Sequence, residues 1–170
     1  TLDGSKTHKW VLEGLFGECE QVTKTDDLIK EGYLSKFRIK VLLCKHAPQH
    51  FESYHDEMEY LVEHKGRNNL IKNLVNDLEG NTLVLFNYVE KHGDPLYELI
   101  NSTIDPERKL FFVHGGTDVE DREEVRQITE TESNAIIVAS YGTFSTGINI
   151  KRLHNIVFAS PSKSRIRNLQ

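Results

Sequence analysis

A chain of 170 residues with 38% hydrophobic content is long enough for one compact domain with a buried core and a smaller appended segment. The formal net charge of −5 argues weakly against a dedicated nucleic-acid binder, and two cysteines, Cys19 and Cys44, are too few for a disulfide framework. No apolar run reaches the roughly 18 to 20 residues that cross a bilayer, and the opening Thr1-Leu2-Asp3-Gly4-Ser5-Lys6 has no apolar signal region, so a cytoplasmic location is expected.

Lys6 to Phe16 reads as an amphipathic helix with Trp10 on its core-facing stripe. Because it begins without Met, at a polar stretch leading into that helix, an upstream portion is expected. Thr25-Asp26-Asp27-Leu28-Ile29 starts a short helix, capped by Thr25 and ending near Gly32. Arg38 to Cys44 reads as a strand and Phe51 to His64 as a helix. Arg67 to Glu79 sets Leu70, Ile71, Leu74, Val75 and Leu78 on one helical stripe, with Gly80 placed as its C-terminal cap. Cys44, His46, His50 and His55 lie close together, but no CxxC pair accompanies them. A buried strand cysteine beside a polar loop is therefore expected rather than a metal site. Asp56-Glu57 follows no apolar strand and reads as a solvated helix face, not an acidic metal-holding box.

The second half alternates strand and helix patterns with short connections, which predicts a parallel α/β sheet. Thr82 to Phe86 is the first strand, entered from the turn pair Gly80-Asn81. Asp94-Pro95 places a side-chain acceptor ahead of a proline at a helix start, and Leu96, Leu99 and Ile100 form the apolar face that follows. Leu110 to Val113 is a second strand, running through His114-Gly115-Gly116 into a charged helix, Val119 to Thr129, with Val119, Val125 and Ile128 available to the core. Asn134 to Ala139 and Asn155 to Ala159 complete a βαβαβ…β core of Rossmann or RecA type.

The segment from Ala139 to Ile150 carries the most chemistry. A buried strand ends there in a hydroxyl, followed by two glycines and an Asn, at the carboxyl edge where open α/β sheets bind ligands. Hydroxyls and exposed amides suit phosphate oxygens, although a glycine-containing loop joining two strands has the same composition. Gly142 and Gly147 have the spacing of a phosphate loop, but Ile148 stands where the lysine is required, so this is not one. No G-x-S-x-G elbow is present either, which disfavours an α/β hydrolase. The last twenty residues, Lys151 to Gln170, hold Lys151, Arg152, Lys163, Arg165 and Arg167 and no acid, a basic end that either faces phosphate or is an ordinary solvated terminus.

Taken together, these motifs resemble the second RecA-like domain of superfamily 2 helicases. Ala139-Ser140 and Gly147-Ile148-Asn149 match that family's motif V, with Ser for the usual Thr and Asn for the usual Asp. Leu83-Val84-Leu85-Phe86 resembles the strand of motif IV, continued by His92-Gly93-Asp94-Pro95-Leu96. Phe112-Val113-His114-Gly115 with Arg122 resembles motif IVa. The arginine-bearing motif VI would start at Gln170, and Thr1-Leu2-Asp3 is similar to the linker that closes the first motor domain.

The resemblance implies a linker and helical segment over residues 1–36 and a RecA-like helicase domain over 37–170, with a P-loop NTPase-type fold but no P-loop of its own. It implies no catalytic residue in this piece. ATP and Mg2+ would be bound mainly by a first motor domain elsewhere in the protein. Gly147 and Asn149 would face the ATP, and Asn87, His114, Gly115 and Ser140 would lie along the nucleic acid. Branched DNA is the implied substrate, with RNA–DNA hybrids beside it, in recombination, repair and replication. For His114 a turn-stabilising role stands beside phosphate contact, and for Arg122 a helix-surface ion pair. The alternative is a non-catalytic Rossmann-type module that binds nucleotide or nucleic acid.

Overall fold

The computed structural model describes residues 6–18, 20, 22–144 and 150–161. The chain divides into two units, Thr1–Leu43 and Cys44–Gln170.

The first unit contains helix α1 (Lys6–Phe16) and helix α2 (Thr25–Lys30). Lys24, not Thr25, takes the capping position of α2, and it supplies no side-chain bond. Trp10 is 67% exposed, which corrects its expected place in a core stripe. The expected strand over Arg38 to Cys44 is also absent: the segment is irregular, and Phe37, Ile39, Val41 and Leu43 are exposed. Alternating apolar residues make a strand only where a neighbouring backbone accepts and donates the ladder bonds.

The second unit opens with helix α3 (Tyr54–Glu63), whose cap Ser53 accepts the Asp56 N–H at 3.2 Å. Asp56 and Glu57 are exposed on it, as expected of a solvated face. Helix α4 (Lys65–Asp77) begins with the His64 ring accepting the Arg67 N–H at 3.1 Å. It buries Ile71 and Val75. Gly80 does not cap it, because Leu78 already ends the helix in extended conformation. The guanidinium of Arg108 instead satisfies the terminal carbonyls, donating to Val75 and Asn76 through Nη1 and to Leu78 through Nη2 at 2.9 to 3.2 Å. Gly80 has another constraint: its φ is +86°, and a Cβ there would meet His154 Cγ at 2.8 Å.

Four strands, β1 (Thr82–Phe86), β2 (Leu110–Val113), β3 (Ile136–Ser140) and β4 (Asn155–Phe158), form an all-parallel sheet in the order β2-β3-β1-β4. Helix α5 (Asp94–Asn101) connects β1 to β2, and helix α6 (Val119–Thr131) connects β2 to β3. A one-turn helix, α7 (Tyr141–Phe144), follows β3. This is the α/β architecture the strand patterns predict. The two-residue period of the central strands splits their side chains between two cores. Val84, Phe86, Ile136 and Val138 pack with Ile71, Val75, Leu96 and Ile100 from α4 and α5. Leu83, Leu85, Ile137 and Ala139 pack on the other face with Tyr141, Phe144 and, from α6, Val125.

Three details differ from the sequence reading. Asp94 does not cap α5, because a π-helical turn, Val89–Gly93, runs into it in helical conformation. Val119 is 68% exposed, and Thr129 is the buried residue of α6, its hydroxyl bonding back to Val125 O at 2.7 Å. Cys44 is exposed and lies in no strand. Among the described residues no three His, Cys, Asp or Glu side chains converge as a metal site would require.

Candidate nucleic-acid interface

In a parallel sheet every strand ends on the same side, so the residues that follow the strands are brought together whatever their distance in sequence. Phe86 of β1 is in register with Ser140 of β3, and Val113 of β2 with Ala139 of β3. Leu85 is in register with Phe158 of β4. Asn87, His114, Ser140 and Ser160 therefore share the carboxyl edge.

Three of the expected residues, Ser140, Asn87 and His114, are partly engaged there. Ser140 is buried, and its hydroxyl pairs with Thr143 Oγ1 at 2.7 Å across the first turn of α7. This is the turn-capping use open to any strand-end hydroxyl. One proton joins the two oxygens, so the pair keeps a second hydroxyl hydrogen and further lone pairs for a ligand. Asn87 is half-buried. Its N–H donates to Ser160 Oγ at 3.0 Å, and its side-chain amide to Pro161 O at 3.3 Å.

His114 is half-buried, with its ring 5.3 Å from that of Phe112. Its Nδ1 accepts the Gly116 N–H at 3.1 Å, and its own N–H donates to Thr117 Oγ1 at 3.0 Å. The ring thus has the turn-stabilising role. A neutral imidazole that accepts at Nδ1 carries its hydrogen on Nε2, which remains a donor atom. Gly115, beside it, is exposed and has nothing within 4 Å of a built Cβ. Among the described residues Arg122 makes no ion pair: its Nε donates to Thr117 O at 3.0 Å and closes the same turn.

Gly147 and Asn149 lie outside the described residues, as do Lys163, Arg165 and Arg167. Of the basic end, Lys151 and Arg152 are described: Lys151 is exposed, and Arg152 sits at the opposite edge of the sheet, donating to the carbonyls of Glu130 and Thr131 at the end of α6.

A set of buried groups behind the edge is not evident from the sequence. His92 is fully buried, with Nδ1 2.9 Å from Ser160 Oγ and Nε2 3.3 Å from Asn68 Oδ1. Burial, and then the neighbouring Arg67 cation, pushes the His92 ring down to about 4, so it is neutral at ordinary pH. Arg67 donates to the carbonyls of Ala159 and Leu61, and Tyr141 donates its hydroxyl to Ser160 O at 3.0 Å. The one trace of this set in the sequence is His92-Gly93-Asp94-Pro95-Leu96. Its spacing now has a physical reason: His92 enters the polar set, a Cβ on Gly93 would strike the Phe86 ring at 2.6 Å, and Leu96 is fully buried in the core.

No family model matches the chain. It is 33% identical over 179 aligned positions to the ATP-dependent DNA helicase UvsW of Enterobacteria phage T4, an alignment that takes in 100% of this chain and 35% of that protein. The crystal structure of T4 UvsW superposes with a TM-score of 0.60 at 34% identity, covering 69% of this chain and 24% of the other. The chain thus spans about a third of the length of the curated relative it matches.

Proposed function

We propose, from the similarity of the whole chain to the helicase UvsW, that it belongs with the UvsW-like helicases and forms the second RecA-like motor domain of an ATP-dependent DNA helicase. Residues 1–36 would be its linker from the first motor domain. The observation that carries this reading is the convergence of Asn87, His114, Gly115 and Ser140, from three loops, on the carboxyl edge of a parallel sheet of the helicase kind. Branched DNA and RNA–DNA hybrids are the proposed substrates, and recombination, repair and replication the proposed setting.

The donors at the edge suit a phosphodiester chain. His114 Nε2–H and the Ser140–Thr143 hydroxyl pair are neutral donors of the kind that position a backbone without reading its bases. They do not by themselves make a cradle for a magnesium triphosphate. The guanidinium beside the edge, Arg67, is taken up by backbone carbonyls. Within the proposal, ATP and Mg2+ are bound mainly by the first motor domain, with Gly147 and Asn149 approaching from this side. The described residues bind and orient the nucleic acid. The Rossmann-type binding module is the weaker reading, since it gives no account of the match to a helicase along the whole chain.

The test is DNA-stimulated ATP turnover by the full-length protein, with forked, Holliday-type and RNA–DNA hybrid substrates compared at one salt concentration. Replacing His114 with Ala should weaken binding to all of them by a similar factor, because a phosphate contact carries no sequence information. Turnover that does not respond to any nucleic acid would remove the helicase assignment.

A further inference from the structure

Behind the proposed DNA contacts, the hydrogen bonds of the buried set can be directed one by one. Asn68 Nδ2 donates to Val62 O at 2.8 Å, which fixes the amide and leaves Oδ1 facing the His92 ring. An amide oxygen only accepts, so His92 Nε2 carries the hydrogen. Nδ1 is then the bare nitrogen, and the Ser160 hydroxyl donates to it at 2.9 Å while accepting the Asn87 N–H at 3.0 Å. The result is one directed chain from the backbone of the loop after β1 to the end of α3.

The exit of β4 is gripped beside this chain. The carbonyls of Ala159, Ser160 and Pro161 are held respectively by Arg67 of α4, Tyr141 of α7 and Asn87 after β1. Three consecutive peptide units are thereby tied to three different elements, and two of the ties come from Asn87 and from the residue after Ser140. Ser160 is the only one of the three whose side chain is also bonded: its hydroxyl accepts the Asn87 N–H and donates to His92 Nδ1, so it links the loop after β1 to the buried ring.

We propose that His92 and Ser160 are positioning residues for DNA engagement. The hydroxyl-to-imidazole bond fixes the backbone at Asn87 and the exit of β4, and so holds the loops after β1, β3 and β4 at one spacing along the bound strand. This rests on the helicase reading above.

The two nitrogens of the ring can be tested apart. In the full-length protein, His92→Asn places a carbonyl oxygen near the site of Nδ1, where it accepts from Ser160, and abandons Asn68. His92→Gln places an amide donor near the site of Nε2, keeps Asn68 and abandons Ser160. Ser160→Ala removes the hydroxyl outright and serves as the second route to the same bond if a ring variant fails to fold.

The measurement is ATP turnover against DNA concentration, with the melting temperature of each preparation taken alongside. His92→Gln and Ser160→Ala are expected to raise the half-saturating DNA concentration by about tenfold, with turnover at saturating DNA changed less than about twofold, while His92→Asn stays within about twofold of the parent. Equal effects from His92→Asn and His92→Gln, or losses of melting temperature with half-saturating DNA unchanged, overturn the positioning role and leave the helicase reading intact. A parent protein whose turnover ignores DNA overturns both.

Discussion

The two edges of the sheet are both lined with buried polar side chains, yet they use them differently. At the amino edge, Asn81 is fully buried and the bonds of its side chain all go to backbone. Its two amide hydrogens are shared among the carbonyls of Thr129, Glu132 and Arg152, and its Oδ1 accepts the Ala135 N–H at 2.8 Å. Arg108 does the same for the end of α4, and Asn155 donates to Glu79 O at 2.8 Å and, in an isolated side-chain pair, to Thr82 Oγ1 at 3.2 Å. These groups close helix ends and strand entries. At the carboxyl edge, side-chain bonds run on consecutively through Ser160, His92 and Asn68, and the candidate contacts retain donor capacity at His114 and at the Ser140–Thr143 pair. A polar residue that satisfies only backbone is there for stability. One that holds another side chain also sets a geometry.

This contrast can be broken most severely at Asn81. Asn81→Leu takes a partner from the buried Thr129 carbonyl and Ala135 N–H and from the part-buried carbonyls of Glu132 and Arg152, and should lower unfolding free energy by roughly 3 to 5 kcal/mol. Urea denaturation of the folded protein measures it, and a loss under about 1 kcal/mol would mean the edge relaxes to admit water.

Acid tests the other edge. The folded pKa of His92 is depressed to about 4, against an ordinary value near 6.5. Between those values the unfolded chain binds the proton and the folded one does not, so stability is greatest above pH 6.5 and falls as pH drops toward 4. The loss should be on the order of 3 kcal/mol. His92→Gln should flatten that part of the stability–pH curve, and an unchanged slope would place the acid response elsewhere.

Smaller effects follow at groups that water can reach. Arg108→Ala should cost about 1 to 2 kcal/mol, because solvent takes over part of the bonding to the carbonyls that end α4. Its DNA affinity in the full-length protein should not change, and a parallel loss of affinity would blur the division between the edges. Ser140→Ala should weaken DNA binding by about 0.5 to 1.5 kcal/mol, one neutral hydrogen bond, equally for unrelated sequences. Lowered melting temperature with constant affinity would instead assign the hydroxyl to the turn it shares with Thr143.

The sequence shows those parts of the fold that are written in periodic patterns. The four strands and the Ile71 and Val75 part of the α4 stripe follow from apolar runs and turn residues, although Leu70 of that stripe is exposed, and the family resemblance now matched by T4 UvsW follows from the motif residues along the strand ends. Local rules misplace residues whose partners are distant. Gly80 looks like a cap because a helix ends just before it, but Arg108, from the turn before β2, does the capping. The apolar alternation from Phe37 to Leu43 lacks a ladder, and Trp10 lacks a core within its unit. Arg67, Asn68, His92 and Ser160 belong together only after the sheet has formed, since each bond joins residues far apart in the chain.

The π-helical turn before α5 has a consequence for how related chains should be compared. Gly93 N–H reaches back five residues to Tyr88 O at 2.8 Å, where an α-helix would reach back four. One residue more than an α-turn holds is accommodated there, and this extra residue lets His92 point inward while α5 still presents Leu96 and Ile100 to the core. Removing any single residue from Val89–Gly93 would restore a regular helix and swing the preceding side chains by about 100° around its axis. A homologue one residue shorter in this turn would then carry a histidine in the aligned column that faces solvent. Equivalence at this position has to be judged by turn length as well as by residue identity.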